Sequence, residues 1–195
     1  YTSPEFNVNV CQLPFWAAVV FYSWKSINYE KVSDLILLGI FMSIGFLTKY
    51  LFIYLILTIK IFFVLQLIQN KKFKIKLLIP GIIFLLFLTP HLIWLFQNDF
   101  ATIVYALNRT GIEENDFLSH IYNPFIFLVK QLGILTPVAL MFFSLTKIKK
   151  IDFKNLKKDR YFLLFINIFP IILIFLTSVV TGAKIRTMWM TPFYL

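Results

Sequence analysis

Apolar residues in this chain come in long runs separated by short polar segments, with no strand alternation. The longest run, Leu35 to Ile68, is interrupted by a cation at Thr48, Lys49 and Tyr50, with Lys60 as its other charged residue. As one α-helix it would be about 51 Å long, well beyond the roughly 30 Å of a bilayer's hydrocarbon. A charged side chain at bilayer depth costs roughly 2.5 to 3.5 kcal/mol or more, so the cheapest break is beside Lys49, at an interface. The run therefore predicts two limbs, Leu35 to Leu47 and Leu51 to Ile68, with Lys49 and Tyr50 at the turn. The first limb is short for a full crossing, which leaves a tilted or re-entrant segment open.

The other runs predict spans at Val8 to Trp24, Leu77 to Leu95, Phe125 to Leu145 and Tyr161 to Ser178, with a seventh beginning near MWMTPFYL. The expected fold is all-α: a polytopic transmembrane bundle of six complete spans and the start of another, one partial domain over residues 1–195. Both ends read as interior to a longer protein. Lys25 to Asp34 reads as a short loop, and 97–123 as a longer one.

Composition agrees. The chain is 59% hydrophobic with a mean hydropathy of +0.81, too apolar for a soluble domain. Its net charge of +10 would suggest nucleic acid in a soluble chain. Here the cations cluster between apolar runs, as QNKKFKIK and as KIKKIDFKNLKKDR, which is the positive-inside pattern and excludes a nucleic-acid face. The loop between these two basic segments holds Asp99, Glu113, Glu114 and Asp116 against Arg109, so it belongs on the opposite, outer side. One cysteine, Cys11, excludes an internal disulfide and a Cys-rich metal site, and the two histidines lack metal-ligand spacing.

With that topology the unusual polar groups gather at the outer boundary: Asn9, Lys49, Tyr50, His91, Asn98, Asp99, Arg109, Lys184 and Arg186. Cations at headgroup depth beside an acid-bearing loop suit an enzyme acting on a lipid phosphate, with Lys and Arg holding the oxygens and a carboxylate taking a proton from a hydroxyl. Each group has a plainer reading too. Lys49 can cap a short helix and snorkel, His91 can satisfy a helix end beside Pro90, Asp99 can cap a helix start, and Lys184 and Arg186 can touch headgroups. Lys60 and Lys130 lie within apolar runs and should face the bundle interior or snorkel. Other classes fit the same pattern: a lipid or small-solute transporter or flippase, with the outer cations as its substrate site, or a noncatalytic scaffold. Transporters tend to gather polar groups at mid-membrane rather than at one boundary.

The ordered series FNVNVCQLPFWA, GIFMSIGFLTKY, PHLIWLFQNDFATIVYALNR, KQLGILTPVALM and KIRTMWMTPFYL resembles the family 39 type of GT-C membrane glycosyltransferases, relatives of protein O-mannosyltransferases and of the aminoarabinose and Rgt-type transferases. The resemblance implies an enzyme of the bacterial inner or plasma membrane that moves a sugar from a polyprenyl-phosphate donor to a lipid, glycan or protein acceptor on the extracytoplasmic side. It implies no fixed cofactor, leaves a divalent cation open, and has membrane lipids but no nucleic acid as surroundings. Lys49 matches the lysine of the family's Leu-Thr-Lys-Tyr or Leu-Thr-Lys-Gly turn, near the donor phosphate. Tyr50, Arg109, Lys184 and Arg186 join it as candidate phosphate contacts, and His91 and Asn98 as further polar groups. Asn9 falls near a position where many relatives carry Asp, and Asn7 with Asn9 resembles the Asn-x-Asn pair of others. The family's principal acid belongs to a first outer loop, expected before Tyr1, which leaves Asp99 as the best acid within this chain.

Overall fold

The computed structural model describes residues 7–70, 75–111, 116–145 and 158–194. Among these described residues seven α-helices run in order: α1 Val8–Tyr29, α2 Val32–Thr48, α3 Ile53–Asn70, α4 Ile79–Gln97, α5 Ala101–Thr110, α6 Ser119–Leu145 and α7 Lys158–Thr181. Short 3-10 segments occupy Tyr50–Phe52, Ile75–Leu78 and Thr187–Tyr194. The protein is a helical membrane bundle. Tyr50–Gln69, Ile75–Gln97, Ser119–Met141 and Lys158–Thr181 are each long and apolar enough to cross a membrane, and α2 is a shorter apolar helix.

At 22 residues, α1 has the length to cross, but it turns its polar groups inward. Asn9, Gln12, Trp16, Val19, Ser23 and Ser26 are all buried, along one stripe. The helix starts where the Asn7 side chain accepts hydrogen bonds from the amides of Asn9 (2.9 Å) and Val10 (3.3 Å). This capping satisfies amides that would otherwise lack partners. It ends at Glu30, in the left-handed region at φ 52°.

The expected loop from Lys25 to Asp34 is largely helical. The last turns of α1 and the first of α2 absorb it, and Lys25 Nζ pairs with Asp34 Oδ1 at 2.7 Å. Asp34 is buried, and pairing makes its charge tolerable there. The long run does break at Lys49. That residue is extended (φ −166°, ψ 131°) between the end of α2 and the 3-10 turn that leads into α3. A glycine makes room for the reversal: a Cβ on Gly45 would run into the ring of Phe52, which is fully buried. Further down α2, a Cβ on Gly39 would lie 2.7 Å from the Pro80 carbonyl oxygen and from Ile83 Cβ, so α2 and α4 approach closely there.

The interior is aromatic and aliphatic. Phe62 of α3 meets the edges of Phe162 and Phe165 of α7 at 5.2 and 5.3 Å, and Trp16 of α1 packs on Phe52 and Phe193 at 5.5 and 4.7 Å. Where a seventh span was expected, Thr187–Tyr194 instead folds back as 3-10 helix and buries Met190 and Phe193 in this core. Packing on Trp16 shelters its apolar groups.

Hydrogen bonds between elements fix which helix ends lie together. At one end, Trp24 Nε1 donates to Asp159 Oδ1 (2.9 Å) and Lys158 Nζ to Asn28 Oδ1 (3.1 Å). At the other, the Lys184 amide donates to the Thr110 carbonyl (3.1 Å) and Asn123 Nδ2 to the Gly182 carbonyl (2.7 Å). Lys60 and Lys130 are both exposed, outside the packed interior.

Candidate functional site

The Lys49 turn forms the floor of a cavity of about 740 Å³ at the second of these ends. Lys49 reaches it because its extended backbone belongs to neither helix. Its ammonium donates to Asn9 Oδ1 at 2.5 Å and lies 5.3 Å from the ring centroid of Trp189. Burial, together with the Arg109 charge, lowers its pKa from 10.5 to about 8. Trp189 arrives on the 3-10 segment that folds back over the core, and Arg186 lies 6.0 Å from the same ring.

The opposite wall is α5, within the region expected to be loop. This amphipathic helix buries none of its residues fully. It begins after two consecutive left-handed residues, Asp99 (φ 47°) and Phe100 (φ 54°), and ends at Gly111 (φ 69°). Left-handed backbone at a residue other than glycine costs of order 1 kcal/mol, so the corner entering α5 is strained. Arg109 lines the cavity from the last turn of α5, held by a 2.7 Å bond from Nη1 to the Tyr105 hydroxyl.

Tyr50 joins the two walls. Its hydroxyl is 2.8 Å from His91 Nε2 on α4 and 2.6 Å from Thr102 Oγ1 on α5. Where His91 Nε2 carries no proton, Thr102 donates to Tyr50 and Tyr50 to the ring; where Nε2 is the protonated nitrogen the direction reverses. Both arrangements keep the chain of bonds intact.

The structure thus brings Asn9, Lys49, Tyr50, His91 and Arg109 to one cavity. Asn7 caps α1 beneath it. Asn98 Nδ2 donates to the Trp94 carbonyl (2.8 Å), and Asn98 and Asp99 are exposed at the corner before α5, away from the cavity lining. Lys184 is exposed; its backbone, not its ammonium, makes the contact to α5. Thr102, Tyr105, Tyr54 and Trp189 join the lining without having been singled out in the sequence. Of the outer acids, Asp116 is exposed, bonding the Phe117 amide at 2.7 Å; Glu5, Glu113 and Glu114 lie outside the described residues, as do 71–74 and 146–157 of the basic segments. Among the described residues no carboxylate lines the cavity, and no group of three His, Cys, Asp or Glu side chains is placed to hold a metal ion.

The fold and this site define a polytopic helical membrane protein with a cavity, lined by Lys49 and Arg109, at one end of its bundle. Residues 1–94 match the family described as dolichyl-phosphate-mannose-protein mannosyltransferase. That match covers Asn9, Lys49, Tyr50 and His91 and supports a membrane glycosyltransferase of the GT-C type. Neither the curated proteins nor the solved structures gave a match.

Proposed function

We propose that the chain forms part of a glycosyltransferase that moves a sugar from a polyprenyl-phosphate donor to a lipid, glycan or protein acceptor on the extracytoplasmic side, with Lys49 and Arg109 holding the phosphate. The observation that carries this reading is the convergence of those two cations on one cavity whose described lining has no carboxylate. Two positive groups so placed repel each other, and an anion between them removes the repulsion. Asn9 and Trp189 hold the Lys49 ammonium without neutralising it, so its charge stays available. The cavity's place at one end, rather than at mid-depth, favours transfer at an interface over carriage across the membrane. Departure of the phosphate and attack by an acceptor hydroxyl also need a base. The reading assigns that role to an acid outside the described lining, with Asp99 as the candidate within this chain.

The test is titration of the purified full chain in lipid nanodiscs with a polyprenyl phosphate. Binding is expected for the wild type and not for a Lys49→Met, Arg109→Met double variant; equal binding by both overturns the reading. Binding is also expected to weaken as pH rises through about 8, because Lys49, its pKa lowered, loses its proton there. A bound phosphate shifts that midpoint upward by favouring the ammonium. Lys49→Arg should abolish the alkaline decline, since arginine stays charged throughout.

The proposed orientation has its own check. Cysteines placed singly at 72 and 150, in a Cys11→Ser background, should be shielded from an impermeant thiol reagent in intact cells. One placed at 114 should be labelled. The opposite pattern inverts the topology.

A further inference from the structure

We infer that Tyr50 is a positioning residue: its hydroxyl ties α5 to the Lys49 turn and so sets Arg109 at the distance from Lys49 at which both can hold one phosphate. This rests on the reading that the cavity binds a phosphate. Three observations point to it. The Tyr50 hydroxyl is committed on both sides, to His91 at 2.8 Å and to Thr102 at 2.6 Å. A hydroxyl has one proton and two lone pairs, so little of its bonding capacity remains for a ligand. Next, among the described residues α5 has little else to hold it. None of its residues is fully buried, and its entry corner is a left-handed pair that favours other arrangements. Among the described residues, the polar tie to α5 from another element besides Tyr50 is the bond from the Lys184 amide to the Thr110 carbonyl at 3.1 Å. Finally, α5 carries a cation toward another cation. The Arg109 charge disfavours the Lys49 ammonium, so the approach is repulsive until an anion arrives and must be held by something else.

A tie at the first turn of α5, with Arg109 in the last, makes a lever about 10 Å long at 1.5 Å per residue. Loosening Thr102 therefore moves the guanidinium by more than it moves the tie.

The experiment uses the full chain in nanodiscs with a spin label on Leu107→Cys in a Cys11→Ser background. Leu107 is on α5, exposed and outside the cavity lining. Tyr50→Phe keeps the ring and removes the hydroxyl; Thr102→Val, at a half-buried position, removes the other partner. Both are expected to increase label mobility and to weaken polyprenyl phosphate binding about fivefold, as for the loss of one ordinary hydrogen bond. Thr102→Ser is expected to keep both values. Unchanged mobility in Tyr50→Phe and Thr102→Val overturns the tie. Increased mobility with unchanged binding overturns the positioning of Arg109. The phosphate reading fails separately, if the Lys49→Met, Arg109→Met double variant binds as well as the wild type; mobility still decides the tie in that case.

Discussion

If the chain transfers sugar as proposed, Lys49→Met is expected to lower transfer from a polyprenyl-phosphate donor by a hundredfold or more, and Lys49→Arg by about tenfold or less. Removing a preorganised donor from the place where charge develops costs about 10²- to 10³-fold, because a site held in advance pays no reorganisation as the bond breaks. Lys49 is preorganised in that sense. Its backbone is fixed between two helices, its ammonium sits 2.5 Å from Asn9 Oδ1, and the Trp189 ring lies 5.3 Å away. Methionine keeps the length of the chain and some packing on Trp189 but has no charge. Arginine keeps the charge, stacks on an indole and can still reach Asn9, though its planar fork points its donors differently. Steady-state transfer rates at saturating donor and separate binding titrations distinguish lost chemistry from lost affinity. Mild, equal effects of the two substitutions would show that Lys49 only shelters its charge at the interface.

Gly45→Val is expected to cost more in folding than any change within the cavity. A branched side chain would have to enter the space filled by the Phe52 ring, which is buried and wedged against Trp16 at 5.5 Å. Overpacking a well-filled core costs typically about 1 to 3 kcal/mol, and here the displaced ring is the pivot of the turn that carries Lys49. The expected outcome is a large drop in the monodisperse fraction after detergent extraction and a lowered thermal midpoint, with residual activity lost as well. Gly45→Ala should show the same effects to a smaller degree. A Gly45→Ala, Phe52→Leu pair should recover part of that loss, because the smaller side chain returns the space. If the double variant is no better than Gly45→Ala alone, the clash between these positions is not the cause.

The turn at Lys49 was legible because length and charge both demanded it: a 51 Å helix does not fit a 30 Å slab, and the ammonium marks the cheapest exit. The inward polar stripe of α1 was less legible, since Asn9 and Gln12 read as the wet end of a span until their burial is seen. Lys25 and Asp34 looked like loop charges. Their ion pair spans nine positions and only exists once α1 and α2 are antiparallel. Helix α5 hid for a local reason. Phe100, which precedes it, offers no side-chain cap, so the usual start signal is missing. Its end was marked, by Arg109 in the last turn and the left-handed Gly111, and that pair of signs could have been read. Thr102 and Trp189 carried no such mark. Their importance comes from partners 52 and 140 positions away, Tyr50 and Lys49, and separations of that kind appear only when the chain is folded.

If the cavity holds the donor phosphate as proposed, Lys49 and Arg109 facing one space make it a small anion exchanger. A wall of fixed positive charge draws counter-ions from the surrounding salt, so a lipid phosphate enters by displacing whichever mobile anion is in residence. Apparent donor affinity then depends on the kind of anion in the buffer as well as on ionic strength. Inorganic phosphate or sulfate, which share the donor's oxygen geometry, compete more strongly than chloride at equal ionic strength. The environment on that face of the membrane thereby sets how hard the cavity is to fill.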